Sequence, residues 1–356
     1  MPKTSLILIV ALAGFVVYML SWPVSVDPAS WKAPETLGFT GSFAPNNHLL
    51  GVERLELIDG RGPEDVAINR KGEIFAGLED GRIVQYMALT GLWEKVIDTK
   101  GRPLGLHFDQ DDNLIICDSL RGLLMVSPTR KITVLSTESE GIPFGFPDDL
   151  DIAADGKIYF TDASFKFSIH NYHQDALEHR PNGRLLVYDP ETQETKTLLR
   201  DLFFPNGVAV SSDQAFLLVN ESWKYRVLKL GLTGEAAGKI DVFIDNLPGI
   251  PDGISSNKKG IFWVALVSPR SSIIDFSANK PFLRKLIARL PQFMQPDEEP
   301  YASIIGLNQK GEIAYNLQDP QAKKYSLVSS VEEYRGTLYL GSLRENAVGR
   351  FQLKNL

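Results

Sequence analysis

The stretch FPDDLDIAADGKIYFTDASFKF (146–167) decides the fold. It reads as a proline, two acidic residues, an alternating apolar run, a tight Asp-Gly turn and a second apolar run, which is the pattern of a β-hairpin. The same plan recurs in GPEDVAINRKGEIFAGLEDGRIVQY (62–86), PLGLHFDQDDNLIICDSLRGLLMV (103–126), FPNGVAVSSDQAFLLVNESWKYRVLKL (204–230) and IPDGISSNKKGIFWVALVSPR (250–270). A sixth, partial unit is VSSVEEYRGTLYLGSLRENAVGRFQL (328–353). The repeats start about 40 to 58 residues apart, and a period near 40–45 with four strands per unit marks a β-propeller blade. The long intervals carry insertions, around 168–182 and 271–300. The last unit is one strand short, and LLGVERLEL (49–57) is placed to supply it, pairing the two ends of the chain so that the ring keeps no free edge at its seam. The expected fold class is therefore all-β, a six-bladed β-propeller over residues 45–356.

Ahead of the propeller, residues 4–22 (TSLILIVALAGFVVYMLSW) carry no charge. A helix of that length rises about 28 Å, close to the hydrocarbon thickness of a bilayer. Tyr18 and Trp22 stand where interfacial aromatics belong. The expectation is an N-terminal transmembrane helix, with residues 1–25 as anchor and 26–44 as a linker stiffened by Pro28 and Pro34. A cleaved signal peptide and a buried helix are the alternatives. Lys3 on the short side predicts a single-pass protein with its propeller on the extracytoplasmic side, periplasmic or lumenal.

Composition narrows the function. Of 356 residues, 37 are Lys or Arg and 44 are Asp or Glu, a formal charge of −7. Without a basic surplus, no nucleic-acid partner is expected. The single cysteine, Cys117, excludes an internal disulfide and a thiolate zinc site.

In a propeller the innermost strand of each blade lines the central channel. The residue after each repeated proline then occupies an equivalent place near one mouth: Glu64, Leu104, Asp148, Asn206 and Asp252. Three carboxylates around one axis repel one another. At about 5 Å and an effective dielectric of 20, each pair costs about 3 kcal/mol. A divalent cation relieves this, and oxygen-only ligation by Glu64, Asp148, Asn206 and Asp252 points to Ca²⁺. Taken one at a time, Pro-Asp-Gly, Pro-Asn-Gly and Pro-Asp-Asp are ordinary turn words. It is their coincidence in blade register that favours a metal site.

The words GRPLGL (101–106), DDLDIAADGKIYFTDAS (148–164), GRLLVYDPET (183–192), LFFPNGVAVS (202–211), NLPGIPDGI (246–254), FWVALVSPR (262–270) and LYLGSL (338–343) resemble the strictosidine synthase-like branch of six-bladed propellers, over nearly the whole chain beyond residue 62. The wider group includes paraoxonases and gluconolactonases, in which a channel calcium polarises a lactone or ester carbonyl. The resemblance implies that their channel Glu falls on Glu64, the Asn of their Asn-Asp pair on Asp148, the Asn of Pro-Asn-Gly on Asn206 and the next blade's Asp on Asp252. Three positions depart from the pattern. Gly253 stands where paraoxonases have a further Asn ligand. Leu104 stands where they have a histidine. Ser329 stands where strictosidine synthase has its glutamate, with Glu332 and Glu333 nearby.

The function expected from this resemblance is a membrane-anchored, calcium-dependent hydrolase of small-molecule lactones or aryl esters, with Asp252, or else Asp148, drawing a proton from water. The alternatives are a non-catalytic propeller binding a membrane partner or a small hydrophobic ligand, and amine–aldehyde condensation of the strictosidine synthase type.

Other chemistry-bearing residues read as structural. His170, His173 and His179 belong to a polar lid over the channel. Ser119 and Ser164 lack the Gly-x-Ser-x-Gly elbow. Cys117 lies in an apolar run and reads as buried and inert. FLRKLIARL (282–290) reads as an amphipathic helix that either touches a bilayer through Phe282, Leu283, Leu286 and Ile287, with Arg284, Lys285 and Arg289 at headgroups, or packs on the propeller.

Overall fold

The computed structural model describes residues 3–356. Six four-stranded antiparallel sheets follow one another along the chain. Blades 1 to 5 each use four consecutive strands, and their innermost strands are Val66–Ile68, Pro103–Phe108, Pro147–Ile152, Pro205–Val210 and Gly249–Ser256. Blade 6 runs outward from Val328–Tyr334 through Thr337–Ser342 and Ala347–Gln352, and its outermost strand is Glu53–Glu56 from the other end of the chain. The pairing is antiparallel with Glu53 opposite Arg350, and an ion pair of 2.6 Å joins the same two residues. The closure anticipated from LLGVERLEL is thus formed.

No blade can bury both its faces alone, and the core shows how this is solved. Each of six apolar clusters draws on two neighbouring blades. Phe75, Ile83, Ile116 and Leu124 join blades 1 and 2. Trp263, Ile304, Val331 and Phe351 join blades 5 and 6. The alternating pattern seen in the sequence is the two faces of each sheet meeting two neighbours.

The words that resemble turns are strand starts. Pro-Asp-Asp, Pro-Asn-Gly and Pro-Asp-Gly all lie within innermost strands. Their glycines answer to crowding at the axis. A Cβ on Gly207 would lie 2.3 Å from the Ile254 nitrogen, and one on Gly253 would lie 2.6 Å from the Ser329 oxygen. Gly253, which the resemblance marks as a lost ligand, is therefore required by the approach of blade 6.

In every blade the turn between the second and third strands emerges at the end where the innermost strand begins. Both insertions are of this kind, so both stand over the same mouth. The first holds a helix, α1 (His173–Glu178). The second holds α2 (Ser272–Ser277) and α3 (Pro281–Ala288). α3 is helical as expected, but its faces are not those expected. Arg284 is buried, donating to the carbonyls of Leu177, Ala29 and Ala278, and Arg289 and Ile287 are buried too. Of the apolar residues read as bilayer-facing, Phe282 alone is strongly exposed.

Residues 4–22, expected as the anchor, fall on the helix Lys3–Ser21, whose apolar side chains, Leu8 and Val17 among them, are largely exposed. Among the described residues, no helix is long and apolar enough to cross a membrane. The proline-rich segment that follows is docked rather than free. The Asp27 amide donates to the Glu178 carboxylate, the Ala29 amide to the Glu178 carbonyl and the Trp31 amide to the Ala278 carbonyl. The Trp31 ring stacks on His179 at 3.8 Å.

Candidate functional site at the lidded mouth

The innermost strands, and in blade 1 the loop that leads into its strand, bring Glu64, Asp148, Asn206 and Asp252, one each from blades 1, 3, 4 and 5, to the wall of one cavity of about 420 Å³ at the lidded mouth. Each repeats the residue after a proline, which puts all four at the same height. The fifth equivalent position is Leu104, packed with Phe146 and Phe204. The sixth is Ser329, whose hydroxyl donates to the Glu64 carbonyl at 2.6 Å. The rest of the cavity is largely apolar, with Phe146, Ile169, Phe204, Trp223, Ile250 and Val267 among its walls.

Asp148, Asn206 and Asp252 are buried and Glu64 is nearly so, but the four are unequally satisfied. Glu64 receives the Arg102 guanidinium at 2.7 Å, and both side chains are nearly enclosed. Burial pushes the Glu64 carboxyl up while Arg102 pulls it down. Asp148 Oδ2 is buried and has no hydrogen-bond partner. Burial first, then the charges of Glu64 and Asp252, holds the Asp148 carboxyl well above the usual range. Asp252 is raised in the same way by burial, Glu64 and Glu298, with the Asn206 amide opposing. Its backbone carbonyl is fixed by Asn220 at 2.5 Å. The donors are all oxygens, one of them unpartnered, and their ionised forms destabilise one another. That chemistry fits a hard divalent cation. With Arg102 counted, the ionised cluster carries a formal charge of −2.

A group of one histidine and two carboxylates reaches the edge of the same cavity. His173, Asp297 and Glu298 offer ligand atoms within 4.8 Å of one another at the rim of the lid. Arg344 already bridges this pair of carboxylates, at 2.5 Å to Asp297 and 2.9 Å to Glu298. The Tyr172 hydroxyl also donates to Glu298 at 3.2 Å. Glu298 faces the cavity, and burial together with Asp297 pushes its carboxyl up to about 7.

Sequence reasoning passed over Arg102, Tyr172, Glu298 and Arg344. Arg102 was within reach, since it directly precedes the repeated proline of blade 2 in GRPLGL. Arg344 was within reach too, since SLR (342–344) of the sixth unit repeats SLR (119–121) of blade 2; Tyr172 and Glu298 sit in insertions that follow no repeat, so register could not place them. The histidines prove to be lid residues, as expected. His170 lines the cavity, and His179 is buried against Trp31 with its pKa lowered to about 2 by burial and by Lys224 and Arg284.

One residue further along the same strands lies a second set of carboxylates with the opposite character. Asp65 accepts the amides of Val66 and Leu106, and Asp149 those of Leu150 and Val208. Each thereby ties its own blade to a neighbour. They face a separate cavity of about 250 Å³ toward the other end of the channel, which Glu332 and Lys258 also line.

Profiles of known families match two parts of the chain: strictosidine synthase over residues 148–235, and the N-terminal part of strictosidine synthase-like proteins over 41–86. Among curated proteins, the chain is 35% identical to adipocyte plasma membrane-associated protein of Bos taurus, covering 94% of this chain and 86% of that one. It is 33% identical to strictosidine synthase-like protein 6 of Arabidopsis thaliana, covering 98% and 94%. Among solved structures, a gluconolactonase from Xanthomonas campestris superposes with a TM-score of 0.62 at 15% identity, covering 85% of this chain and 88% of that one. A calcium-binding regucalcin from Agrobacterium tumefaciens gives 0.58 at 13% identity, covering 82% and 93%. At those identities the structures speak for the fold.

Proposed function

Because this chain belongs to the strictosidine synthase-like family of six-bladed propellers, we propose that it is a membrane-anchored, calcium-dependent hydrolase of lactones or aryl esters. The observation that carries this reading is the set of four oxygen donors at one height in a mostly apolar cavity, with Asp148 Oδ2 buried and unpartnered. Glu64, Asp148, Asn206 and Asp252 would hold Ca²⁺. The ion, when bound, supplies a Lewis acid that stabilises negative charge developing on a carbonyl oxygen.

The remaining roles fall to the chain. The apolar wall of Phe146, Phe204, Trp223 and Val267 receives an apolar acyl or aryl group and excludes water from it. Asp252 takes a proton from the attacking water through whichever of its oxygens is left free. Glu298, held by Tyr172 and Arg344, gives the cavity a carboxyl that exchanges its proton near neutrality. Arg102 removes one unit of negative charge from the ring and orients Glu64. Condensation of the strictosidine synthase type is less supported, since Ser329 spends its hydroxyl on the Glu64 carbonyl and Glu332 lines the other cavity.

Anchoring is proposed through residues 4–22, with the propeller on the extracytoplasmic side. The uncharged run and the relatives named as plasma membrane-associated support it. Protease added outside intact cells or spheroplasts is expected to digest the propeller, and full protection would reverse the topology.

The activity is tested with a panel of lactones and aryl esters, with Ca²⁺ and with chelator. The panel is run on the full chain and on its Glu64→Gln and Asp252→Ala variants. Glu64→Gln is expected to lose cation and turnover together, and Asp252→Ala to lose turnover by roughly 10²–10⁴-fold. Turnover that survives Asp252→Ala removes this mechanism. No turnover on any substrate leaves the propeller as a binding protein.

A further inference from the structure

The lid over the mouth has an outer surface that the propeller does not use. Ile273 and Phe276 lie three residues apart on α2 and are both exposed. Phe282 opens α3, and Phe293 and Met294 follow it, 87% and 56% exposed. All five belong to one insertion of 271–300, and none of the described residues covers them. Lys280, itself exposed, holds its ammonium 3.7 Å from the centre of the Phe276 ring. An exposed aromatic and aliphatic set edged by a cation is the composition of a surface that rests at the boundary of headgroups and acyl chains.

A second, independent observation says what covers this surface. The N-terminal helix is fastened to the same insertion with no slack. The Tyr18 hydroxyl donates to the Arg289 carbonyl at 2.9 Å, and Arg289 Nε donates to the Trp22 carbonyl at 2.7 Å. Between Trp22 and Trp31 the chain stays on the lid. Arg284 grips the Ala29 carbonyl, and the Trp31 amide donates to the Ala278 carbonyl at 3.1 Å. A helix tethered this closely cannot enter a bilayer while the lid stands far from it. Exposed Trp22 and half-exposed Tyr18 mark the helix end nearest the lid as interfacial.

We infer that the lid face carrying Ile273, Phe276, Phe282, Phe293 and Met294 lies on the surface of a lipid bilayer, so that the lidded mouth of the propeller opens toward lipid. This rests on the anchoring of residues 4–22 proposed above, and the test separates the two.

Cys117 is buried and is the chain's only cysteine, so single introduced cysteines can be spin-labelled selectively. The full chain is reconstituted in vesicles of phosphatidylcholine and phosphatidylserine. Labels are placed through Phe276→Cys and Phe293→Cys on the lid, Val10→Cys in the helix, and Leu89→Cys on the hairpin turn at the opposite end of blade 1. Collision rates are read with oxygen, which concentrates in lipid, and with a water-soluble nickel chelate. Labels at 276, 293 and 10 are expected to shift toward oxygen relative to the label at 89. If 10 shifts while 276 and 293 behave like 89, the helix is anchored and the inference fails. If 10 also behaves like 89, the anchor fails and takes the inference with it. If 276 and 293 are shielded from both reagents, and cross-linking joins two chains through them, the face is covered by a second copy and the bilayer reading is wrong.

Discussion

Asp148 and Asp149 are neighbours on one strand, yet they belong to different worlds. Asp149 accepts backbone amides from Leu150 and from Val208 of the next blade. Asp148 keeps one buried oxygen with no partner at all. The same contrast separates Asp65, which accepts the Leu106 amide of blade 2, from Glu64, which meets the Arg102 guanidinium rather than the backbone. Alternation along a strand sends successive side chains to opposite faces. Here one set of carboxylates is consumed in holding blades together and the other is left available to a ligand. Charge and burial are alike in both sets, so neither identifies a site. The difference lies in whether the backbone has already claimed the oxygens.

The most direct way to break this comparison is a pair of alanine variants. Asp149→Ala strands two buried amides and should cost about 2–4 kcal/mol in urea denaturation, since each orphaned buried donor costs about 1–3 kcal/mol. Asp148→Ala removes a repulsive, unpartnered carboxylate and should cost under about 1 kcal/mol, or raise stability. Equal losses would erase the distinction between the two sets. Calcium sharpens it next. At a hundredfold excess over its dissociation constant, Ca²⁺ should stabilise the native chain by about 2.7 kcal/mol, seen as a rise in Tm that chelator reverses. That rise should vanish in Asp148→Ala and persist in Glu332→Gln.

A smaller effect is expected with pH. Burial holds the carboxyls of Asp175 and Glu298 up at about 7 and that of Glu332 up at about 8. The unfolded chain releases these protons near pH 4, whereas the native chain keeps them. The native state therefore binds more protons between about pH 4 and 8, and its stability falls as pH rises through that window. Glu332→Gln should flatten the upper part of the decline by at least about 1 kcal/mol, one pKa unit being worth about 1.4 kcal/mol. An unchanged slope would mean that Glu332 titrates normally. The smallest effect belongs to Ser329→Ala, which removes one hydrogen bond to the Glu64 carbonyl and should cost about 1 kcal/mol. A large loss of turnover in that variant would reopen the condensation chemistry.

The repeat of proline, variable residue and apolar strand was enough to number the blades, place the closing strand and pick out the four residues at the mouth. What it could not give followed from partners distant in the chain. Gly253 looked like a missing ligand because nothing near it in sequence reveals the Ser329 carbonyl that crowds it. FLRKLIARL showed a basic face suited to solvent or headgroups. Arg284 instead answers the carbonyls of Leu177, Ala29 and Ala278, acceptors that exist only once the lid and the N-terminal segment meet. Glu298 was hidden in PDEEP because its burial depends on a lid contributed by two different blades.

The seam of blade 6 sets a timetable for the ring. Glu53 must wait for Arg350, 297 residues later, before the strand it belongs to has a neighbour. At about 5–20 residues per second of synthesis, that delay is roughly 15–60 seconds. For that time blade 1 lacks the far wall of its apolar cluster, which Leu55, Leu57 and Val348 complete. A ribosome-bound chain truncated before Ala347 should therefore remain open at blade 1 and retain chaperones there. Emergence of the strand Ala347–Gln352, rather than growth of any single blade, then commits the molecule to its closed form.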